Sequence, residues 1–399
     1  MWARGSGVTG WRPDGRWLAA AVVMAPLSIA VSETLLAAAL ATRLYGRARD
    51  RCCWELPRVF WWWLLGWAGW EVGVRLLAPP PRGWSEMRHL ALLLALFLVV
   101  PALTTSAQRL WVWRGMVYSA TLGSAVLTIA FLRLWWHYRH LLTGDQLSLG
   151  LRTGGLLGNW MVYASVEAVA MAGLASLWMH FPEQRWQWTV LAAVNAIAVA
   201  LSLTRTLWLC CAVLAFIALG RQRWRWLAVA PVAAALVWRF GPAVIRLRVL
   251  QTFRPGYFSN AERWQMLKVG WRMLRSHPWV GVGRVDLVYT SYLSPGATVP
   301  DYHGHLHNNL VQLLAVFGWP VLLPVLLVLA VVVLDLARAR RQASDRAAQC
   351  LAQAGVLALA VFMIAGLFDY TYGHSLGLIV IAFALLAALS PLRQRDGSG

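Results

Sequence analysis

The sequence predicts an all-α, polytopic membrane protein with about 12 transmembrane helices and a large, partly helical loop on the outer side. Of its 399 residues, 59% are hydrophobic and only 13% are charged, and the mean hydropathy is +0.57. A helix must be apolar over about 20 residues to cross the hydrocarbon. The 26 tryptophans agree with this class, because indole rings favour the two membrane interfaces.

Twelve apolar runs define the predicted spans: 17–29, 31–45, 58–78, 88–103, 110–134, 159–180, 187–201, 203–220, 225–240, 309–335, 350–368 and 372–390. The first two are separated because Glu33 would lie awkwardly at mid-bilayer in one longer span. The predicted organisation is therefore nine helices in residues 1–240, a loop domain in 241–308, and three helices with a cytoplasmic tail in 309–399.

The distribution of arginines supports this count with both termini in the cytoplasm. Basic residues in short loops set the orientation of membrane helices, and more than half of the 36 basic residues fall in predicted cytoplasmic segments. The outer segment 135–158 fits less well, because it contains Arg139 and Arg152. The net charge of +20 is scattered between apolar runs, so nucleic acid is not expected as a partner.

Residues 241–308 form one long and strongly basic outer loop. Its basic residues are Arg246, Arg248, Arg254, Arg263, Lys268, Arg272, Arg275 and Arg284, against the acidic Glu262, Asp286 and Asp301. Long loops are translocated largely regardless of charge, so the loop does not contradict the topology. An anionic ligand would explain its charge, and contact with anionic membrane lipids is the alternative.

An amphipathic helix is predicted inside this loop. Ser259–Glu262 resembles a capping box that opens a helix, and Pro278 ends the segment before a turn at Gly281-Val-Gly283. The apolar stripe of the helix consists of Trp264, Leu267, Trp271 and Leu274. Such a helix is expected to lie on the membrane surface or to cap the helix bundle.

Charged residues at the ends of membrane helices are candidates for function, since they are costly to place there. Arg205 follows Ser202-Leu-Thr at an outer helix end, where its planar fork suits phosphate or carboxylate oxygens. Snorkelling to the interface is its alternative role. Asp369 lies in the outer turn between the last two helices, where it could accept a proton, orient a histidine or cap the final helix.

Three histidines alternate with other residues just before the tenth span, at His303, His305 and His307. On an extended segment their side chains share one face, which would suit a metal, yet no nearby cysteine or carboxylate pair completes a ligand set. General base catalysis by neutral imidazole is the favoured reading, with an ordinary structural role as the alternative. Asn308 and Asn309 are placed to cap the following helix.

These residues resemble the O-antigen ligase family, within the wider ligase and polymerase superfamily. The family motif is a histidine, then Asn, Ser or Gln, then nine residues and Gly-x-x-Gly, Thr or Tyr. Here His307-Asn308 is followed by nine residues and Gly318-Trp-Pro-Val321, so that Val321 departs from the last position. Arg205 is similar to the family's periplasmic arginine at a helix end. Arg263-Trp264 before Pro278 and Gly281-Val-Gly283 is similar to its loop motif.

The resemblance implies a GT-C-like glycosyltransferase in the bacterial inner membrane, with its active site facing the periplasm. It would transfer a glycan from undecaprenyl diphosphate to a sugar hydroxyl of lipid A–core oligosaccharide, without metal or cofactor and with inversion. The expected catalytic residues are His307, His305 and Asp369. The expected residues for the diphosphate and substrate are Arg205, Arg263, Arg272 and Asn308.

Two other functions remain open from the sequence. A polymerase would use a carrier-linked glycan as acceptor, and its site could be nearly the same. A non-enzymatic lipid-glycan transporter would favour internal repeats and charges near the midplane, and neither is present in the sequence. Paired carboxylates of the glycosidase type and a Walker-type phosphate loop are also missing from it.

Overall fold

The computed structural model describes residues 10–50, 58–77, 88–222, 241–297 and 304–389, together with residues 232, 235, 238 and 239. Within these ranges the chain is helical and contains no strand. The all-α prediction is therefore confirmed for the described part of the chain. The ninth predicted span, 225–240, lies mostly outside the described residues.

Sixteen α-helices are described. They are α1 Pro13–Met24, α2 Ile29–Asp50, α3 Arg58–Leu77, α4 Arg88–Val99, α5 Ser106–Tyr138, α6 Gly144–Gly150, α7 Trp160–His180, α8 Arg185–Leu201, α9 Arg205–Gln222, α10 Ala243–Thr252, α11 Phe258–Ser276, α12 Val285–Val288, α13 Asn309–Phe317, α14 Leu322–Gln342, α15 Arg346–Gly366 and α16 Ser375–Leu389.

Among the described residues, four helices are long and apolar enough to cross a membrane: Ser106–Tyr138, Trp160–His180, Trp319–Gln342 and Arg346–Gly366. Shorter apolar helices cover His89–Ala102, Arg205–Ala218 and Ser375–Leu389. These segments overlap predicted apolar runs, which supports a membrane protein. The count of about 12 spans stays a prediction.

The centre of the bundle is formed by α7, with α15 and α16 packed beside it. In α7, 78% of the most apolar 18-residue stretch is buried inside the protein. In Trp319–Gln342, which includes α14, the corresponding share is 11%. Close packing depends on Gly173, where an added Cβ would lie 2.8 Å from the Trp113 ring. Leu323 and Leu334 of α14 are instead exposed, as expected for a helix that faces lipid.

Polar contacts gather the connecting segments at two ends of the bundle, as the predicted topology requires. At the predicted cytoplasmic end, Ser106 Oγ donates to Asp345 at 2.8 Å and Arg346 donates to Glu183 at 2.8 Å. At the other end, Gln251 donates to Asp145 at 2.7 Å, and Asn309 Nδ2 donates to Thr371 Oγ1 at 2.7 Å. All the candidate site residues within the described ranges belong to this second end.

The structure corrects the prediction of one continuous helix over 309–335. Helix α13 ends at Phe317, and α14 starts only at Leu322. Gly318 between them has φ +75° and ψ −178°, a non-helical conformation that is essentially restricted to glycine. Pro320 then lies in a short 3-10 turn, Trp319–Val321. Both helix-breaking residues were visible in the sequence.

Helix α11 was predicted correctly in position but not in its cap, and most of its predicted apolar stripe is not the face buried in the protein. Tyr257 is its N-cap, and no side chain caps the helix there, so the capping-box prediction is wrong. Trp264 and Trp271 of the predicted stripe are 60% and 45% exposed. The buried face is formed instead by Ser259, Met266, Val269, Gly270, Met273 and Leu274.

A second hydrophobic core joins α11 to α13 and so extends beyond residue 308, where the predicted loop domain ends. Gly270 allows this packing, because an added Cβ would lie 2.4 Å from Val311 Cγ1. The turn Gly281–Gly283 holds the end of α13: Val282 N donates to Ala315 O at 2.8 Å. The loop helix and the histidine segment thus form one packed unit.

Candidate active site

The core of the candidate site is a histidine–carboxylate pair. His307 Nδ1 lies 3.0 Å from Asp369 Oδ1, and both side chains are buried. An ionised carboxylate can only accept a hydrogen bond, so Nδ1 carries a proton, and in the neutral imidazole the lone pair is on Nε2. Residues 62 positions apart in the sequence are brought together here.

The backbone holds His307 in an unusual conformation. Its φ is +47°, in the left-handed region that a residue with a Cβ rarely adopts. On one side, Leu306 N donates to Gln312 Oε1 at 3.0 Å. On the other, Asn308 caps α13, because its Oδ1 accepts from Val311 N at 2.9 Å. The capping prediction for Asn308 is confirmed.

Two asparagines fix the α15–α16 turn against the histidine segment. Asn308 Nδ2 donates to Leu367 O at 2.8 Å. Asn309 exchanges two hydrogen bonds with Thr371, at 2.7 and 2.9 Å. Gly366 leaves room for this contact, since an added Cβ would lie 2.3 Å from Asn309 Nδ2. The position of Asp369 relative to His307 is therefore built into the fold.

Burial alone would raise the pKa of the Asp369 carboxyl, but its surroundings lower the pKa below the ordinary value. The hydrogen bond from His307 and the charge of His307 lower the pKa against the effect of burial. The charge of His374 and the hydrogen bond from the Tyr370 amide lower it further. Asp369 is consequently an anion at neutral pH. It can orient His307 and stabilise an imidazolium that forms there.

His305 lies beside this pair. The centroid of its ring is 4.3 Å from that of His307 and 5.2 Å from that of Tyr370. Ligand atoms of His305, His307 and Asp369 lie within 4.8 Å of one another, so this group could hold a metal ion. Against this, the closest His307 nitrogen and Asp369 oxygen already bond to each other. The predicted metal-independence stays a prediction. His303 lies outside the described residues.

Arg263 connects the pair to a cluster of arginines. Burial lowers the pKa of Arg263, while the negative charges of Asp369 and Glu262 raise it. Arg263 therefore lies within electrostatic reach of Asp369, although the two are 106 positions apart in the sequence. The sequence predicted both residues as part of one site, and the structure places them within electrostatic reach of each other.

The cluster contains Arg152, which the sequence reasoning did not select. Burial, the largest cause, and the charge of Arg248 lower the pKa of Arg152 to about 9. The charges of Arg263 and Arg205 act in the same direction. Its Nε and Nη2 are buried and have no hydrogen-bond partner among the described residues. Buried, unsatisfied donors surrounded by like charge are what an anion-binding site presents before its ligand arrives.

Arg248 and Arg205 are held around Tyr257. Arg248 donates to Leu203 O at 3.0 Å and to Tyr257 Oη at 2.9 Å. The Arg205 guanidinium lies 5.9 Å from the Tyr257 ring centroid and donates to Gln251 O at 3.5 Å. These contacts pre-orient the cluster. We call Arg152, Arg205, Arg248 and Arg263 the arginine cluster.

Arg272 lies apart from this cluster. It is nine positions after Arg263, which on a helix is a rotation of roughly 180°. Its guanidinium donates to Tyr292 O at 2.8 Å and to Ser294 Oγ at 2.7 Å. The structure therefore places Arg272 on the opposite face of α11, together with Trp264 and Lys268.

One segment of the chain, which contains His307 and most of the arginine cluster, is similar to a known protein family. Residues 189–326 match the family model described as O-antigen ligase. This match supports membership of the O-antigen ligase/polymerase family. No curated protein sequence matches the chain.

The O-antigen ligase match covers about a third of the chain, and it contains Arg205, Arg248, Arg263 and His307. Arg152 and Asp369 lie outside the matched segment on either side. The candidate site therefore combines residues of the matched segment with two residues from the flanking parts of the chain. The signal for Arg152 in the sequence was a basic residue in a predicted outer segment, where the distribution of charge favours few of them.

Proposed function

We propose that the protein is an O-antigen ligase that transfers a glycan from undecaprenyl diphosphate to a sugar hydroxyl of lipid A–core oligosaccharide. The observation that carries the proposal is an oriented histidine–carboxylate pair within electrostatic reach of an arginine cluster, in which Arg152 has two buried donors without a partner among the described residues. The membrane helices and the family match support a lipid-linked substrate. The site would face the periplasm of the inner membrane.

His307 would act as the general base. Its Nε2 takes the proton from the acceptor hydroxyl while that oxygen forms a bond to the anomeric carbon. The bond from the anomeric carbon to the diphosphate oxygen breaks, and undecaprenyl diphosphate leaves with the electron pair. Asp369 stabilises the imidazolium that results. One direct displacement inverts the anomeric centre without a covalent intermediate.

The arginine cluster would bind the diphosphate and stabilise the charge that develops as it leaves. Guanidinium groups match pairs of phosphate oxygens and stay protonated at neutral pH. Fixed donors in a buried site need little reorganisation when charge develops. Arg152 and Arg205 suit this role best, because Arg263 faces Asp369 and Arg248 bonds to Leu203 O, Gln251 and Tyr257.

The test is complementation in a strain that lacks its own ligase. The wild-type chain should restore glycan-capped lipopolysaccharide, and His307→Ala and Arg205→Ala should not. Membrane levels of each variant should be measured alongside. Capping by a normally expressed His307→Ala variant would exclude the base assignment.

The polymerase alternative is tested by deleting the gene from its own host, where the other steps of glycan assembly are intact. A ligase defect leaves long glycans on the lipid carrier. A polymerase defect instead leaves single repeat units attached to the core. Loss of long chains with single units still reaching the core would therefore assign the protein to polymerisation.

A further inference from the structure

A solvent-open cavity of about 510 Å³ lies on the face of α11 that points away from the histidine pair. Trp264, Lys268 and Arg272 recur along this face at helical spacing, and Ser294 closes the opposite wall. The cavity contains none of the residues assigned above to the base or the arginine cluster. None of its lining residues in the described part of the chain is acidic.

We propose that this cavity binds an anionic sugar, phosphorylated or carboxylated, that belongs to one of the two substrates. This proposal rests on the proposed transfer reaction. The site of chemistry lies on the other side of α11, about 10 Å away across the helix. The occupant must therefore be a remote part of an extended oligosaccharide rather than the reacting sugar.

The walls of the cavity supply the two kinds of contact that such a sugar needs. Trp264 is 60% exposed, and the face of its indole can pack against the C–H face of a pyranose ring. The Lys268 ammonium lies 5.5 Å from the Trp264 ring centroid, so it can contact an acidic substituent on a sugar stacked there.

Arg272 adds a second cation whose position is fixed. Its bonds to Tyr292 O and Ser294 Oγ, at 2.8 and 2.7 Å, hold the guanidinium at the cavity wall. An arginine has five N–H donors, and these two bonds use only part of them. Two cations and no acid on one wall favour an anion over a neutral sugar.

Remote binding of this kind contributes to catalysis, because the binding energy of non-reacting parts of a substrate positions the reacting centre. Helix α11 connects the two sites directly. One face lines the cavity through Val269, and Gly270 packs against Leu306 next to His307. An oligosaccharide seated in the cavity would be aligned relative to the base by a single rigid element.

The helix provides a matched control for this proposal. Trp271 and Arg275 repeat the spacing of Trp264 and Lys268, with the guanidinium 5.3 Å from the ring centroid and Trp271 45% exposed. Trp271 instead packs edge-on against Trp319, at 5.9 Å, and does not line the cavity. The two pairs are alike in chemistry and exposure, and they differ in access to the cavity.

Binding is tested by saturation-transfer NMR on the full-length protein in phosphatidylcholine nanodiscs, with glucose 6-phosphate, glucose and inorganic phosphate as probes. Glucose 6-phosphate should bind most tightly. Lys268→Gln should weaken glucose 6-phosphate binding about tenfold or more, the loss expected for one charge-assisted contact, and leave glucose binding unchanged. Trp264→Ala should weaken both sugars, and Trp271→Ala should change neither. Equal losses in Trp271→Ala, or no preference for the phosphorylated sugar, would overturn the proposal.

Two further measurements identify which substrate carries the sugar and test whether a lipid headgroup binds in the cavity instead. In a reconstituted transfer reaction, Lys268→Gln should raise the KM of only one substrate, and that substrate carries the anionic sugar. If neither KM changes, the proposal fails. It also fails if phosphatidylglycerol in the nanodisc abolishes glucose 6-phosphate binding, since a lipid headgroup then occupies the cavity.

The binding result is independent of the proposed reaction. His307→Ala should bind glucose 6-phosphate as the wild type does, because His307 does not line the cavity. An active His307→Ala variant would contradict the proposed function and leave the cavity result intact. If Lys268→Gln loses sugar binding but keeps intact transfer with an unchanged KM, only the proposal for the cavity is contradicted.

Discussion

His307 Nδ1 lies 3.0 Å from Asp369 Oδ1, in a contact that joins the start of α13 to the turn before α16. The contact leaves the imidazole lone pair on Nε2, away from the carboxylate. It therefore determines which nitrogen can accept a proton, and it makes distinct predictions for the two residues and for their neighbour His305.

His307→Gln should abolish transfer, and Asp369→Asn should lower kcat by about 10²- to 10⁴-fold, the usual contribution of positioned acid–base groups. The asparagine amide can donate to Nδ1 and so favours the wrong tautomer. The measurement is kcat and KM in a reconstituted reaction. His305→Gln is the control and should lose much less. A larger loss in His305→Gln than in His307→Gln would exchange their roles.

Arg152→Ala should raise the KM for the diphosphate donor about tenfold or more, since a charged contact to phosphate is lost. Arg205→Lys should recover only part of the activity lost in Arg205→Ala, because lysine cannot bind two oxygens in the same plane. Arg139→Ala is the matched control: Arg139 belongs to the same end of the bundle, but its guanidinium packs on Trp136, 3.9 Å from the ring centroid. An equal effect in Arg139→Ala would indicate a general loss of surface charge.

The lowered pKa of Asp369 predicts how stability depends on pH. A carboxyl whose pKa is lower in the folded state stabilises the fold above its unfolded pKa, near 3.8, and loses this contribution as the pH falls through the folded value. The Tm difference between wild type and Asp369→Asn should therefore be constant from about pH 8 to pH 5 and shrink below about pH 4. A difference that shrinks between pH 8 and pH 6 would mean that Asp369 is not the titrating group.

Three glycine substitutions should separate backbone strain from steric conflict. Gly256→Ala should be nearly neutral, since an added Cβ meets nothing within 4 Å. Gly296→Ala should cost about 1–2 kcal/mol, because its φ of +76° is strained although the space is open. Gly281→Ala should cost clearly more, since its Cβ would lie 2.3 Å from Val316 C. Thermal unfolding in detergent gives the order, and equal losses at Gly281 and Gly296 would contradict it.

Activity should survive removal of metal ions. The group His305, His307 and Asp369 is close enough to bind one, so dialysis against a chelator is an informative test. Activity should be unchanged after dialysis and insensitive to added Zn²⁺ or Mg²⁺. Loss of activity that a metal restores would replace the general-base mechanism with a metal site.

The sequence predicted most helices well, because apolar runs of membrane length leave few alternatives. The prediction failed where a single residue determines the local structure of an otherwise apolar segment. Gly318 ends α13 inside an apolar run that otherwise reads as one span. Helix α11 has two apolar faces, and the face that contains Gly270 is the one buried in the protein. A residue without a side chain at position 270 allows the close approach to Val311.

The site was predictable where its residues belong to a motif, as for His307, Arg205 and Arg263. Arg152 was missed because its significance comes from tertiary contacts: burial beside three other arginines is invisible in a local pattern. Arg272 was grouped with Arg263 because both are basic residues of one helix. Their nine-residue spacing already placed them on opposite faces.

Two residues other than glycine have a positive φ in the described part of the chain, Leu203 and His307. One precedes Arg205 by two residues and the other is the proposed base. At position 307, backbone preference alone would select glycine, asparagine or aspartate, whereas the reaction requires imidazole. Selection for thermostability and selection for turnover therefore act in opposite directions on this one residue. Engineering for folded yield without an activity screen would tend to lose the histidine first.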